Sequence, residues 1–149
     1  MAGQGDLQSF FAAIKQGDSK EVRRLLEVDK SVTSMRTKDA AAKYEPDVEM
    51  DAFKFLGAYI GSINGLQLAL FTGHDDIARD IIDATFQDEI DSAFGGGNTA
   101  LHLAALLGAE ELVSALLTRG ASKTSKNNKG FTPVDVGDDD SMRQIFSQH

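Results

Sequence analysis

Repetition at a spacing of just over thirty residues constrains this chain more than any other feature. Gly97-Asn98-Thr99 is echoed 33 positions later by Gly130-Phe131-Thr132. Each opens an apolar helical pattern, Ala100-Leu101-His102-Leu103-Ala104-Ala105 in one case and Pro133-Val134-Asp135-Val136 in the other. Gly73 and Gly108, 35 positions apart, each end a first apolar segment and precede a second. The second segments carry Ile77, Ala78, Ile81 and Ile82, then Leu112, Val113, Leu116 and Leu117. This i, i+1, i+4, i+5 spacing is that of one buried helix stripe. The unit is therefore a turn, a short helix, a glycine turn and a longer helix. One such pair cannot bury its own apolar face, whereas stacked copies can, so the period points to a stack.

The N-terminal region follows the same plan. Phe10-Phe11-Ala12-Ala13-Ile14 ends at Gly17, and Val22, Leu25 and Leu26 line a second helix. Asp6 and Asp18 are placed to accept the free N–H groups of the two helix starts. Thr132-Pro133 reads as a helix start, with the cap first and proline in the first turn, where its missing N–H costs nothing. Helix pairs are thus predicted over about 6–27, 64–86, 99–119 and 133–147 of a single domain covering residues 1–149. Gly17 and Gly73 are 56 positions apart, 23 more than one unit of 33, which assigns an inserted segment to residues 28–62. Within it Asp39-Ala40-Ala41-Ala42-Lys43 favours helix, and Glu45-Pro46 stops it. Asp51 is read as the cap of a second helix, with Ala52, Phe55, Leu56 and Tyr59 on one face and Gly61 beyond its end. Such apolar surface is expected either to pack on the first two repeats or to form a partner-binding finger.

Gly97-Asn98-Thr99-Ala100-Leu101-His102-Leu103-Ala104-Ala105-Leu106-Leu107-Gly108, followed by Leu116-Leu117-Thr118-Arg119-Gly120-Ala121, resembles an ankyrin repeat. Thr-x-x-His, the alanine pair, the glycine and Leu-Leu-x-x-Gly-Ala all fall in place. The resemblance is close over residues 97–129, partial over 62–96 and 130–146, and one of pattern over 6–27. It departs from the family at Asn64-Gly65-Leu66-Gln67, where Thr-Pro-Leu-His is usual, which bears on that repeat's cap and its hydrogen bonds to the next. The resemblance implies an all-α, ankyrin-like repeat solenoid of stacked helix-turn-helix pairs with short hairpin turns. It also implies that His102 is structural, its ring bonding to Thr99 and nearby backbone.

Little in the sequence speaks for chemistry. A phosphate-binding loop needs a Gly-x-x-x-x-Gly-Lys-[Ser/Thr] motif between strand and helix. No lysine follows Gly97 and no strand pattern precedes it, so Gly95-Gly96-Gly97 reads as a protruding turn that uses positive φ. His74, His102 and His149 lack metal-ligand spacing. The carboxylates Asp75-Asp76, Glu110-Glu111 and Asp138-Asp139-Asp140 stand at predicted helix starts, where negative charge favours the dipole. The chain has no cysteine, which excludes disulfides and thiolate chemistry. No catalytic residue, cofactor or metal site is predicted. The net charge of −8 argues against nucleic-acid and anionic-membrane binding. With no apolar run near the ~20 residues of a membrane span and no signal-like start, a cytoplasmic or nuclear monomer is expected. Lys123, Lys126 and Lys129 read as a solvated loop or as contacts for an acidic protein.

The expected function is a non-catalytic protein–protein interaction module, acting as an adaptor or as an inhibitory or targeting subunit. The resemblance implies a concave binding face made of turn tips and the exposed side of the first helices. Carried onto this sequence, that face comprises Ile63, Phe71 and Thr72, then Asn98, Leu106, Leu107 and Arg119, and then Asn128, Lys129 and Phe131. Aromatic residues beside polar ones and arginine are the composition of interface hot spots. Two other readings stand beside it. One is a phosphorylated-ligand-binding or enzymatic protein using Gly95–Gly97 or residues 28–62. The other is a structural end domain of a larger assembly.

Overall fold

A computed structural model describes residues 4–137 and 139–149. Four helix pairs follow one another: α1 (Gln4–Gln16) and α2 (Ser19–Val28), then α4 (Gly65–Phe71) and α5 (Asp75–Ala84), α6 (Ala100–Leu106) and α7 (Glu110–Thr118), and α8 (Pro133–Val136) and α9 (Asp140–Ser147). Between α2 and α4 the inserted segment holds strand β1 (Arg36–Thr37) and helix α3 (Glu49–Phe55), and strand β2 (Ile63–Asn64) follows it. The helices stack in two columns. α1, α4, α6 and α8 touch in succession on the inner side, and α2, α5, α7 and α9 do so on the outer side. The core runs between the columns. Ile14, Leu68, Leu101 and Leu103 come from the first, and Val22, Ile77, Ile81, Ile82 and Leu116 from the second, all of them at or near zero exposure.

Each second-helix stripe read in the first three repeats is thus the buried one, and the fold is the all-α repeat stack that the period implies. Its β content is minimal. β1 pairs antiparallel with β2, Arg36 opposite Asn64 and Thr37 opposite Ile63, which closes the inserted segment at its base. A bridge between Phe94 and Asn98 makes the hairpin tip ahead of α6.

The caps show why the inner helices start where they do. Thr99 and Thr132 cap α6 and α8, with Pro133 in the first turn of the latter. Asp18 accepts the Glu21 N–H at the start of α2 (3.2 Å). α1 begins at Gln4, so Asp6 lies inside the helix rather than at its cap. Asp75-Asp76 and Glu110-Glu111 occupy the first turns of α5 and α7. Asp139 caps α9 through the Met142 N–H (2.8 Å), and Asp138 lies outside the described residues.

The second repeat compensates fully for its unusual sequence. Asn64 N–H donates to Gln67 Oε1 (2.9 Å) and Gln67 N–H to Asn64 Oδ1 (3.0 Å), a reciprocal capping box. Gly65 replaces proline for a packing reason. A Cβ there would lie 2.5 Å from a Phe10 ring carbon and 3.1 Å from Ile14 Cδ1, so α1 approaches α4 too closely for any side chain.

The inserted segment departs from expectation in two places. Asp39–Lys43 is a turn, not a helix. The Asp39 carboxylate accepts the Ala41 N–H (2.9 Å) and pairs with Lys15 (2.9 Å), and five residues cannot offset the cost of helix nucleation against that local bond. The second helix starts earlier than predicted, with Val48 at its cap and Asp51 inside its first turn. It ends at Phe55 because Gly57 takes φ 93°, which turns the chain before Tyr59 can join the apolar face. Tyr59 is 69% exposed.

Candidate protein-binding face

The chain's own inserted segment contacts the inner side of the stack at several points. The Tyr44 ring sits against Phe71 at the end of α4 (centroids 5.6 Å apart), and Phe71 in turn meets Phe94 edge-on (5.4 Å). Phe55 packs edge-on against Phe131 (5.0 Å). Two buried amides grip the segment's main chain. Asn98 Nδ2 donates to Leu56 O (2.9 Å) and Asn127 Nδ2 donates to Phe55 O (2.8 Å). Asn127 Nδ2 also donates to Asn98 Oδ1 (2.8 Å), which links the two grips. Arg36 fastens the base, its guanidinium donating to Ser62 O and Ala93 O (both 2.7 Å). The segment therefore reaches the turns of the third and fourth repeats as well as the first two, further than its expected packing.

This decides where the predicted contact residues stand. Ile63 and Asn98 are fully buried, so these two are corrected from partner-facing to internal, whereas Phe71, 6% exposed, is mostly covered but stays in the lining of a groove. The cause is the insertion, which covers Phe71 with Tyr44 and engages Asn98 through Leu56. Phe131 is half-buried under Phe55. Arg119 ends α7 in the outer column, where it donates to Thr85 O, so it does not share a face with the others. Thr72 is half-buried and donates its hydroxyl to Leu68 O (2.8 Å). Leu106 and Leu107 are half-buried at the end of α6 and pack against the core. Asn128 and Lys129 are exposed, and the Asn128 N–H donates to Gly96 O (2.8 Å).

A groove of 320 Å³ remains between the insertion and the ends of α4 and α6. Lys43, Tyr44 and Glu45 form one wall, with Leu70, Phe71 and Leu107 among its other lining. It brings together Phe71, Thr72 and Leu107 of the predicted set. Tyr44, absent from that set, forms a portion of its wall. The only sequence signal for Tyr44 was an aromatic residue in a long interrepeat segment. Burial pushes its phenol up to about 12, so it stays a neutral donor, to Gly57 O (3.2 Å).

The glycine turn lies against the backbone of the inserted segment. Gly95 and Gly97 take φ 54° and 81°. A Cβ on Gly95 would lie 2.3 Å from Tyr59 O, so glycine there admits the insertion's backbone. His102 is a structural group. Thr99 N–H donates to its Nδ1 (3.1 Å) and its Nε2–H donates to Phe131 O (2.9 Å), which sets the tautomer. Burial holds its pKa below the ordinary 6.5. Gln67 has the same role in the preceding repeat, donating from Nε2 to Ser92 O (2.8 Å). Among the described residues no cluster of three or more His, Asp or Glu side chains has metal-binding geometry, and no helix is long and apolar enough to cross a membrane.

No curated protein matches the chain. Among solved structures it is similar to a chain of the crystal structure of the yeast ribosomal protein Rps3 in complex with its chaperone Yar1. That similarity has 18% identity and a TM-score of 0.65, and it covers 100% of this chain and 93% of that one. At this identity the likeness speaks for the fold. The family model for ankyrin repeats, in three copies, matches residues 10–127, and with it the capping boxes and the two-column stack place the chain in the ankyrin-repeat family.

Proposed function

We propose that this chain is a non-catalytic adaptor or targeting subunit that binds a protein partner through the groove between its inserted segment and the ends of α4 and α6. Ankyrin repeats are protein-interaction modules, and the similar solved fold belongs to a complex of a ribosomal protein with its chaperone. One observation carries the choice of surface. The insertion covers Phe71, Asn98 and Phe131 on the face that such a stack would offer, and it leaves this groove open beside them. The insertion is tied down by Asn98, Asn127 and Arg36, so both walls are pre-organised and little ordering entropy opposes binding.

A second surface has its own support. Met50 and Phe53, one helical turn apart on α3, are 86% and 42% exposed, unusual for large apolar side chains on a well-anchored helix.

A pull-down with quantitative mass spectrometry separates the two. Wild type is compared with Leu107→Asp and with Met50→Asp/Phe53→Asp, each first shown to fold by circular dichroism. Loss of a specific set of proteins in Leu107→Asp alone supports the groove. Loss only in the α3 variant moves the site to that helix. No specific retention by wild type ends the adaptor reading.

A further inference from the structure

The groove does not stop at Leu107. It shares Asp75, Gly108 and Ala109 with a second cavity of 630 Å³ that runs over the starts of α5 and α7 in the outer column. The two cavities meet at these residues, so one channel has a mixed end, where Tyr44, Leu70, Phe71 and Leu107 lie beneath Lys43 and Glu45, and an acidic end at Asp75, Asp76, Glu110 and Glu111.

The basic residues at the acidic end are already committed. Arg23 pairs with Asp80 (2.9 Å) and Arg79 with Asp83 (3.5 Å). Among the described residues none of the four carboxylates is ion-paired. The dipoles of α5 and α7 offset some of this charge. Arg23, Arg79 and Lys43 stand against Asp75, Asp76, Asp80, Glu110, Glu111 and Glu45 in the lining, and each helix start supplies roughly +0.5, so the channel keeps a net charge of about −2. A cleft whose net charge has one sign favours segments of the opposite sign.

We infer that the channel binds a basic segment of a partner protein that carries an apolar anchor. The anchor side chain seats against Tyr44, Phe71 and Leu107, and the lysine or arginine residues beside it face Asp75, Asp76, Glu110 and Glu111. This rests on the groove reading of function and adds the chemistry of the partner. Neither end is sufficient by itself. The acidic end without an anchor gives salt-sensitive, unselective attraction, and the apolar floor without charge has nothing to orient the segment.

The test uses defined probes and the full chain. A fourteen-residue amphipathic peptide of lysine and leucine is titrated into isotope-labelled protein and followed by NMR. Three controls accompany it: a glutamate–leucine peptide of the same length, a lysine–serine peptide, and the protein variant Asp76→Lys/Glu111→Lys, whose changes lie at exposed positions. The expected result is binding of the lysine–leucine peptide with shifts concentrated at Thr72, Gly73, Leu107, Gly108 and Ala109. Affinity should fall about tenfold or more in the charge-reversed variant, and by a similar factor for the lysine–serine peptide.

Shifts centred on α3, equal binding of the glutamate–leucine peptide, or unchanged affinity in the charge-reversed variant each overturn the inference. So does lysine–serine binding as tight as lysine–leucine. If these peptides fail while the pull-down still shows a groove-dependent partner, the functional reading stands and only the partner's chemistry is wrong. If both fail, the groove itself is the error.

Discussion

The repeats and the inserted segment are held together by different physics. A repeat is stabilised mostly by near neighbours. Inner helices α4, α6 and α8 start on four-residue capping boxes, and the outer helices bury stripes such as Ile77-Ala78-Ile81-Ile82 against adjacent copies. The insertion has, among the described residues, one α-helix of seven residues and a 3-10 turn at Lys30–Ser34, and it depends on reach. Asn98 is 42 residues from Leu56, Asn127 is 72 from Phe55, and Phe131 covers one side of Phe55. Removing a core side chain from a repeat should therefore weaken the whole stack, whereas removing a grip should loosen the insertion first. The difference also bears on function, because the candidate groove has one wall from each region.

The strongest way to break this contrast is Leu101→Ala, at a fully buried position in α6. It should cost about 2–5 kcal/mol in chemical denaturation, with all helices lost in one transition. A separate early transition would show that the stack is not one cooperative unit.

Asn98→Ala should cost less, about 1–3 kcal/mol, because it leaves Leu56 O and one Asn127 bond without a partner in a buried place. Hydrogen exchange should then show amides of residues 49–57 losing protection ahead of those in α5 and α7. Equal loss everywhere would mean that the insertion and the repeats cannot be separated.

Tyr44→Phe removes only the bond to Gly57 O and keeps the ring against Phe71, so about 0.5–1.5 kcal/mol is expected. If limited proteolysis then cleaves the insertion rapidly, the hydroxyl matters more than the ring.

The smallest effect at neutral pH belongs to His102→Gln, which rewrites the third repeat in the manner of Gln67 in the second. His102 has a folded pKa below 6.5, so the unfolded chain takes up the proton first. Its stabilising contribution is complete above the ordinary value and is lost as pH falls from there toward the depressed one. Denaturation midpoints at pH 7.5 and 5.5 should therefore differ more for wild type than for His102→Gln. An identical pH response would show that the ring's protonation is not linked to folding.

Several features were readable from residues because their causes are local. Thr99, Thr132 and Asp18 cap helices within three positions of themselves. The Gly95–Gly97 turn was recognisable from missing partners for a phosphate, although its closeness to Tyr59 was not. Gly65 looked like a defect in the motif and is a site of helix contact, set by Phe10, which lies 55 positions earlier. Asn98 carried a surface assignment from the turn tips of related repeats, and it became internal because this chain brings its own backbone to that tip.

The period, the spacing of apolar stripes and the turn glycines together determined that the chain stacks helix pairs, since each pair exposes an apolar face that only another copy covers. They also indicated that residues 28–62 lie outside the pattern and are too apolar to stay in water. The path of that segment was decided in three dimensions. Its contacts join positions 42 and 72 residues apart, with no periodicity to announce them, and a lone asparagine reads the same whether it faces solvent or holds a distant carbonyl. Which region of the inner face stays open for a partner follows from that path.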